Sequence, residues 1–241
     1  MMRGVNVIAN VTASNSEFYR GQGHSRAVYV RNTWSDLGGE ALSVGRDGLR
    51  NGQKGRPVKI IGHVGYLDRT GSTYGLRFLL VDTIPVLETA MDGLDYEIHI
   101  IGGGTAVPSL KPFLRQERVM LRGYVDDLYA ELKSCDVFLL LNNAGPYHAA
   151  YTRHIVAWSM GLCLIVHANS QRAIPEIVPM ENALVGSTPD DVARMVRLAA
   201  TDPALNQRIR EGGRATYEKY FTPQAVAKAL HEEMVRLTGR G

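Results

Sequence analysis

The sequence predicts an α/β fold, a doubly wound parallel sheet with helices on both faces. Short runs of aliphatic and β-branched residues alternate with segments of helical periodicity over most of the 241 residues. Strands that are apolar throughout, rather than at every second position, are typical of parallel sheets covered on both faces. A hydrophobic content of 45% is sufficient for a sizeable core in a chain of this length.

The first part of the chain is predicted to be short and irregular. Apolar runs predict strands at residues 5–11 and 27–30, and residues 14–20 between them form a short helix or turn. A polar, glycine-rich stretch with little periodicity follows, and we assign residues 38–57 to a linker or surface excursion.

From residue 58 onward strands and helices alternate regularly. The predicted strands are residues 58–65, 96–101, 119–125, 137–141, 162–168 and 183–186. The predicted helices are residues 74–91, 108–115, 126–135, 149–160, 189–200, 203–220 and 223–237, with a helical turn at 173–178. Pro85 bends or divides the first of these helices, whereas each of the last three has a proline in or near its first turn.

Composition excludes several classes of function. The formal charge of +3 comes from scattered basic residues, whereas a nucleic-acid-binding face is usually a cluster of them. The two cysteines, Cys135 and Cys163, lie in apolar or helical contexts and are predicted to be buried thiols in a reducing compartment. No signal peptide and no apolar run of about 18–20 residues is visible, so a cytoplasmic protein without a transmembrane segment is expected.

A phosphate site is predicted where the strand at 137–141 gives way to a polar loop and then to a helix. Ligands of parallel sheets bind at the carboxyl ends of the strands. Unpaired amides and the positive end of the helix dipole suit an anion there. The side-chain donors that this segment offers are those of Asn142, Asn143, Thr152 and Arg153. An ordinary strand–loop–helix connection is the alternative.

Three other segments lie at the same predicted edge of the sheet. The loop that follows the strand at 58–65 offers Gly65, Arg69, Ser72 and Thr73 to a phosphate or a sugar hydroxyl, and a plain surface loop is the alternative. Gly102, Gly103 and Gly104 do not complete a dinucleotide fingerprint, but they form a flat surface that a nucleotide or sugar can approach. Exposed backbone at Gly123 could bind a base, with Tyr124 packed beside it.

Metal binding is not predicted. His148 and His154 are the histidines nearest the loop that follows the strand at 137–141, and no carboxylate or cysteine stands at metal-ligand spacing from them.

The order of these segments resembles a known family. Residues 58–237 look like the C-terminal, donor-binding domain of a GT-B glycosyltransferase of the retaining family 4 type, also called glycosyl transferases group 1. The matching segments are VKIIGHVGYLDRTGSTYGL, YEIHIIGGG, VMLRGYVDDLYAELKSCDVFLLL, TRHIVAWSMGLCLIVHA and the tail from ENALVG to the last helix. The resemblance implies a Rossmann-like domain at residues 58–241. It also implies that residues 1–37 are a remnant of the N-terminal domain, most of which is missing or on a separate chain.

The sequence departs from the family pattern at several positions. The Glu-x7-Glu pair of the family aligns with His148 and Val156, which leaves Arg153, His154 or backbone for the ribose. The Arg/Lys pair that binds the diphosphate aligns near Tyr66 and Arg69, so that one cation remains, and Arg153 could supply the other.

The resemblance implies binding of a nucleotide diphosphate sugar, a UDP- or GDP-sugar, for retaining hexosyl transfer in polysaccharide or glycoconjugate biosynthesis. No cofactor is required and peripheral membrane association is possible. Arg69, Arg153 and helix N-termini at residues 149–152 and near Gly75 would neutralise the diphosphate. The sugar pocket would comprise Gly102–Gly104 and residues 142–145, including Gly145, with His148 in contact with the sugar.

Two other functions remain open from the sequence. The lost carboxylates and the missing domain favour a non-catalytic sugar-nucleotide-binding or partner-docking subunit. A related sugar-nucleotide epimerase would need acidic and histidine residues to converge, and His148 with Asp126 or Asp127 are the residues available.

Overall fold

The computed structural model describes residues 7–37 and 56–238. The predicted linker at 38–57 lies almost entirely outside the described residues, as does the start of the strand predicted at 5–11. In the described part the α/β prediction is confirmed, because a six-stranded parallel sheet is flanked by helices.

A small β-α-β unit precedes the main sheet. Strand β1 (Ile8–Asn10) leads through helix α1 (Ala13–Gly21) to β2 (Ala27–Tyr29). The two strands are parallel, and Ile8 pairs with Ala27. The helix and the second strand lie within one residue of their predicted ends, whereas β1 is shorter than the strand predicted at residues 5–11.

The main sheet is formed by six parallel strands. They are β3 (Val58–Val64), β4 (Tyr96–Ile101), β5 (Val119–Gly123), β6 (Val137–Leu140), β7 (Leu164–His167) and β8 (Leu184–Gly186). Their order across the sheet is β5-β4-β3-β6-β7-β8. The chain thus adds strands on one side of β3 and then crosses to the other side. The loops after β3 and β6 flank this switch point, where such sheets bind ligands.

The α-helices along the main sheet are α2 (Thr70–Arg77), α3 (Ile84–Ala90), α4 (Leu128–Lys133), α5 (Thr152–Ser159), α6 (Ser170–Ala173), α7 (Pro189–Thr201), α8 (Pro203–Tyr220) and α9 (Pro223–Thr238). A π-helical turn at Phe78–Thr83 joins α2 to α3, so Pro85 stands in the first turn of α3 and does not break the helix. Residues 108–115 form two 3-10 turns rather than one helix, and α6 precedes the predicted turn at 173–178.

Two apolar layers cover the sheet, one on each face. Ile60 of β3 belongs to the layer beneath α2, α3 and α7, whereas its neighbour Ile61 belongs to the layer beneath α5 and α8. Both side chains are fully buried, which explains why the strand is apolar at successive positions. Trp158 of α5 is also fully buried, and its Nε1 donates to the Asn182 carbonyl at 2.8 Å.

The segment after β2 packs along the main domain through polar contacts. Arg31 and the Tyr29 hydroxyl both donate to the Glu176 carboxylate, at 2.6 and 3.0 Å. The Tyr217 hydroxyl of α8 donates to the Trp34 carbonyl at 2.9 Å. These contacts hold residues 29–34 against α8 and the loop before β8.

Candidate functional site

Glycines bring the ends of three neighbouring strands together at the carboxyl edge of the sheet. The Gly65 amide donates to the Ile101 carbonyl at 2.9 Å, and the Gly102 amide donates to the Gly123 carbonyl at 2.8 Å. A Cβ on Gly102 would lie 2.0 Å from the Gly65 carbonyl oxygen, and its φ is +137°. Only glycine allows this approach, so the residue type sets the spacing between the two loops.

A cavity of about 390 Å³ opens at the switch point, beside the end of β3. It is lined by Val64, Gly65, Tyr66, Arg69, Gly71, Ser72, Tyr151 and Arg153. Four of these are predicted site residues: Gly65, Arg69, Ser72 and Arg153. The structure therefore places the two predicted phosphate-binding arginines on the walls of one cavity.

Arg153 is a partly buried cation at the wall of this cavity. Within the described residues its guanidinium has no carboxylate partner, and it lies over the Tyr151 ring at 5.3 Å from the ring centroid. Burial lowers the pKa of Arg153, and the Tyr151 phenol opposes this shift. Its Nη1 stands 2.5 Å from where a Gly65 Cβ would be, so glycine leaves the room that it occupies. A desolvated and unpaired charge is costly, which favours an anion beside it.

The positive ends of two helices border the same cavity. Helix α2 begins after Arg69 and α5 begins after Tyr151, and neither N-cap side chain accepts a hydrogen bond from its helix. Among the described residues the first amides of each helix, such as those of Thr70 and Thr152, are consequently open to an external acceptor, whereas the His154 amide already donates to the Tyr151 carbonyl at 3.0 Å. Each helix end adds a partial positive charge to that of the two arginines.

Arg69 lies at the outer margin of the cavity. Its side chain is exposed and stands over the Tyr66 ring at 5.6 Å from the centroid. A long exposed side chain can move towards a bound ligand, whereas Arg153 is already fixed in the wall.

His63 lies behind this wall and was not singled out from the sequence. His63 is 3% exposed, and its Nε2 has no hydrogen-bond partner in the part of the chain that the structure describes. Burial, together with the Arg153 charge, lowers the pKa of His63 to about 3, so the imidazole is neutral. A polar residue near the carboxyl end of an otherwise apolar strand is the sequence signal that would have indicated it.

Two predicted helix starts are wrong. Helix α5 begins at Thr152 and not at residue 149, because the Ala149 and Ala150 amides donate to the Asn143 Oδ1 and the Thr12 Oγ1. The helix that was expected to begin near Gly75 begins at Thr70. Gly75 instead packs on the Asn142 backbone, 3.0 Å from where its Cβ would stand.

The loop after β6 is braced internally. The Asn143 amide group donates to the Ala149 carbonyl and to the Ser170 Oγ, both at 3.1 Å. Asn143 was predicted to offer donors to a ligand, but these contacts engage them in shaping the loop. The neighbouring Asn142 is buried, and its Nδ2 has no hydrogen-bond partner within the described ranges. Gly145 packs against the Tyr74 ring, which a Cβ would approach to 2.4 Å.

His148 lies on this loop and does not line the 390 Å³ cavity. It is partly buried, and burial followed by the Arg172 charge lowers its pKa. Val156, at the second position where the family has a carboxylate, is 9% exposed in the core of the domain. Neither residue supplies an acid to the cavity.

The remaining predicted residues are distributed around this edge. Thr152 occupies the first position of α5, and Thr73 follows in the first turn of α2. Gly103 lies beside the Tyr66 ring and Gly104 beside the Asp68 carboxylate.

A second cavity, of about 600 Å³, lies beside β5 and α4. Its lining comprises Lys59, Leu121, Arg122, Tyr124, Val125, Asp126, Asp127, Ala130, Glu131 and Ser134. Tyr124 is 84% exposed and borders it. Asp126 and Asp127 thus line a different cavity from Arg153, and His148 lines neither of the two.

Among residues 7–37 and 56–238 no three His, Cys, Asp or Glu side chains come together as a metal site. None of the described helices combines the length and the apolar character that a bilayer span requires.

A family model described as "Glycosyl transferases group 1" matches residues 58–202, which is more than half of the chain. The chain belongs to this family. The resemblance inferred from the sequence is therefore confirmed. No curated protein matches this chain at a significant level.

Solved GT-B glycosyltransferase structures share the fold. Anabaena Alr3699/HepE in complex with UDP superposes with a TM-score of 0.71 at 12% identity, over 96% of this chain and 64% of that one. The lipopolysaccharide outer core galactosyltransferase WaaB, apo form, gives 0.67 at 14% identity, over 96% and 62%. Sucrose-phosphate synthase from Thermosynechococcus elongatus gives 0.66 at 15% identity, over 100% and 60%. The chain thus spans less than two thirds of the length of these structures.

Proposed function

We propose that this chain is the donor-binding part of a glycosyltransferase and binds a nucleotide diphosphate sugar. In this proposal the diphosphate lies in the 390 Å³ cavity between the first turns of α2 and α5. The observation that carries the proposal is Arg153, a partly buried guanidinium without a carboxylate partner in the described residues. The crystallised complexes of HepE with UDP and with UDP-glucose support a nucleotide sugar as the ligand.

The cavity suits the electrostatics of glycosyl transfer. When the bond between the anomeric carbon and the phosphate oxygen breaks, its electron pair remains on the leaving diphosphate. Arg153 and the two helix ends would stabilise this developing charge from fixed positions, and the exposed Arg69 would move towards it. Such preorganised groups act most strongly where water is displaced. The sugar would then extend along Gly102–Gly104 and the loop at residues 142–145, and the base would reach Gly123 and Tyr124.

Calorimetric titration of UDP and GDP tests the proposal. Wild-type protein should bind one of them, and Arg153→Ala should weaken binding by about tenfold or more, because it removes a charged hydrogen-bond donor. Arg194→Ala is the matched control, since Arg194 is an exposed residue of α7 paired with Asp191. Absent heats for wild type, or equal affinities of wild type and Arg153→Ala, would contradict the proposal.

A second function is favoured by one observation. His148 and the buried Val156 replace the two carboxylates of the family, so a non-catalytic sugar-nucleotide-binding or partner-docking subunit is the alternative. Binding of a sugar nucleotide without transfer or hydrolysis of its sugar, over a panel of UDP- and GDP-sugars, would support this alternative. Release of the sugar that depends on Arg153 would support the enzyme.

A further inference from the structure

The side chain of Tyr151 borders the proposed phosphate site. Tyr151 lines the cavity together with Arg69, Ser72 and Arg153. A Cβ on Gly71 would stand 2.0 Å from the Tyr151 Oη, so the phenol contacts the backbone of the first turn of α2. The residue itself is the N-cap residue of α5. Tyr151 therefore connects the two helix ends that border the cavity.

The Tyr151 ring has two neighbours that hold its position. The Arg153 guanidinium lies over it at 5.3 Å, and the His154 ring stacks at 6.4 Å with an interplanar angle of 26°. The His154 Nδ1 is 2.9 Å from the Tyr151 carbonyl oxygen, which fixes the position of the histidine. The phenol is therefore oriented before any ligand binds, which lowers the entropic cost of a contact made through it.

The Tyr151 hydroxyl has no hydrogen-bond partner in the described residues, although the residue is partly buried. Burial raises the pKa of Tyr151 and the Arg153 charge offsets part of this rise, so the phenol keeps its proton at neutral pH. A protonated phenol can donate a hydrogen bond, as can the open amides of the helix ends and the guanidinium groups of Arg69 and Arg153, which line the same cavity. All of these groups would be satisfied together by the oxygens of one anion.

We propose that Tyr151 binds the donor diphosphate directly, with its hydroxyl donating a hydrogen bond to a phosphate oxygen between the ends of α2 and α5. This inference rests on the proposed function, because it needs a phosphate in the cavity. Tyr151 is then a binding residue of the site in its own right, which neither the sequence nor the family pattern had indicated.

The alternative role of Tyr151 is to block the phosphate site. In that case the hydroxyl occupies the place of a phosphate oxygen and must leave before a ligand binds. The two roles predict opposite effects of removing the hydroxyl. Loss of a hydrogen-bond donor weakens ligand binding, whereas loss of a blocking group strengthens it.

The experiment compares Tyr151→Phe with wild type by calorimetric titration of inorganic pyrophosphate, UDP and GDP. Phenylalanine keeps the ring against Arg153 and His154 and removes only the hydroxyl. Tyr147→Phe is the matched control, because Tyr147 is 68% exposed on the same edge and does not line the cavity. Thermal unfolding of both variants sets a temperature at which each is folded. Pyrophosphate makes the comparison independent of the base.

Tyr151→Phe should bind pyrophosphate and the preferred nucleotide about tenfold more weakly, the effect of one lost hydrogen bond to a charged group. Tyr147→Phe should bind as wild type does. If wild type binds and Tyr151→Phe binds equally or more tightly, the inference is wrong while the proposed function stands. If wild type binds none of the three ligands, the proposed function fails, and this inference fails with it.

Discussion

The stability of the domain should depend steeply on pH because two histidines are buried as neutral rings. His63 and His154 each have an Nε2 that finds no hydrogen-bond partner among residues 7–37 and 56–238. Burial and the Arg153 charge lower the pKa of His63 to about 3. Burial, opposed by the hydrogen bond to the Tyr151 carbonyl, lowers the pKa of His154 to about 4. An unfolded histidine titrates near pH 6.5.

The sign and size of the effect follow from linkage. Below pH 6.5 the unfolded chain takes up protons that the native rings do not accept, so the free energy of unfolding falls as the pH falls. A pH of 5 lies roughly 1.5 units below the pKa of an unfolded imidazole. This difference lowers the free energy of unfolding by about 2 kcal/mol for each histidine. His63 and His154 together should therefore lower the free energy of unfolding by about 4 kcal/mol between pH 7 and pH 5. Carboxylates that are stabilised in the native state lose their contribution mainly at lower pH.

Urea unfolding followed by the fluorescence of the buried Trp158 measures this difference at pH 7 and pH 5. His63→Gln should lose about 2 kcal/mol of the pH dependence between pH 7 and pH 5, whatever its stability at pH 7. His231→Gln, which changes an exposed residue of α9, should keep all of it. A wild-type stability that is equal at the two pH values would refute the account of buried neutral histidines, as would a His63→Gln variant with the full wild-type dependence.

Three further predictions concern the fold that supports the site. Gly102→Ala should destabilise the domain by roughly 2–3 kcal/mol, because its Cβ would lie 2.0 Å from the Gly65 carbonyl oxygen at a φ of +137°; a thermal unfolding midpoint within a degree of wild type would contradict the close approach. Cys135 and Cys163 should not react with an aromatic disulfide reagent in the native protein, since burial raises both thiol pKa values to about 12, and both should react in urea. Rapid labelling of either thiol without urea would show that the thiols are accessible. Asn182→Ala should cost roughly 2–3 kcal/mol in urea unfolding, because the Asn182 amide joins the Glu176 carbonyl, the Thr216 hydroxyl and the Val178 amide in the core; a loss below half of this would contradict its role.

The strands were predictable because their local composition determines them. Ile60 and Ile61 both face apolar layers, and a run such as Val137–Leu140 has no polar face that would suit a surface strand or an amphipathic helix. The proline-initiated helices α7, α8 and α9 were likewise predictable from their first turns.

The start of α5 was not predictable from the same kind of evidence. Ala149 and Ala150 have high helix propensity, yet their amides are held by Asn143 and by Thr12, and Thr12 is 138 positions away in the sequence. Tertiary contacts of this kind override a local preference and are not visible in a single sequence.

The site was predictable in part. Arg69 and Arg153 were identified because donors after neighbouring parallel strands must lie at one edge of the sheet. Tyr151 and His63 were missed because what singles them out is a polar atom without a partner among the described residues, and no local sequence pattern shows this.

The central claim is that Arg153, Arg69 and the first turns of α2 and α5 hold a diphosphate. A crystal structure of the protein with the nucleoside diphosphate that it binds tests this most directly. The account predicts both phosphorus atoms in the 390 Å³ cavity, with phosphate oxygens at hydrogen-bond distance from the Arg153 guanidinium and the Tyr151 hydroxyl. Phosphates bound instead beside Lys59 and Arg122 in the 600 Å³ cavity, with Arg153 unchanged, would contradict it.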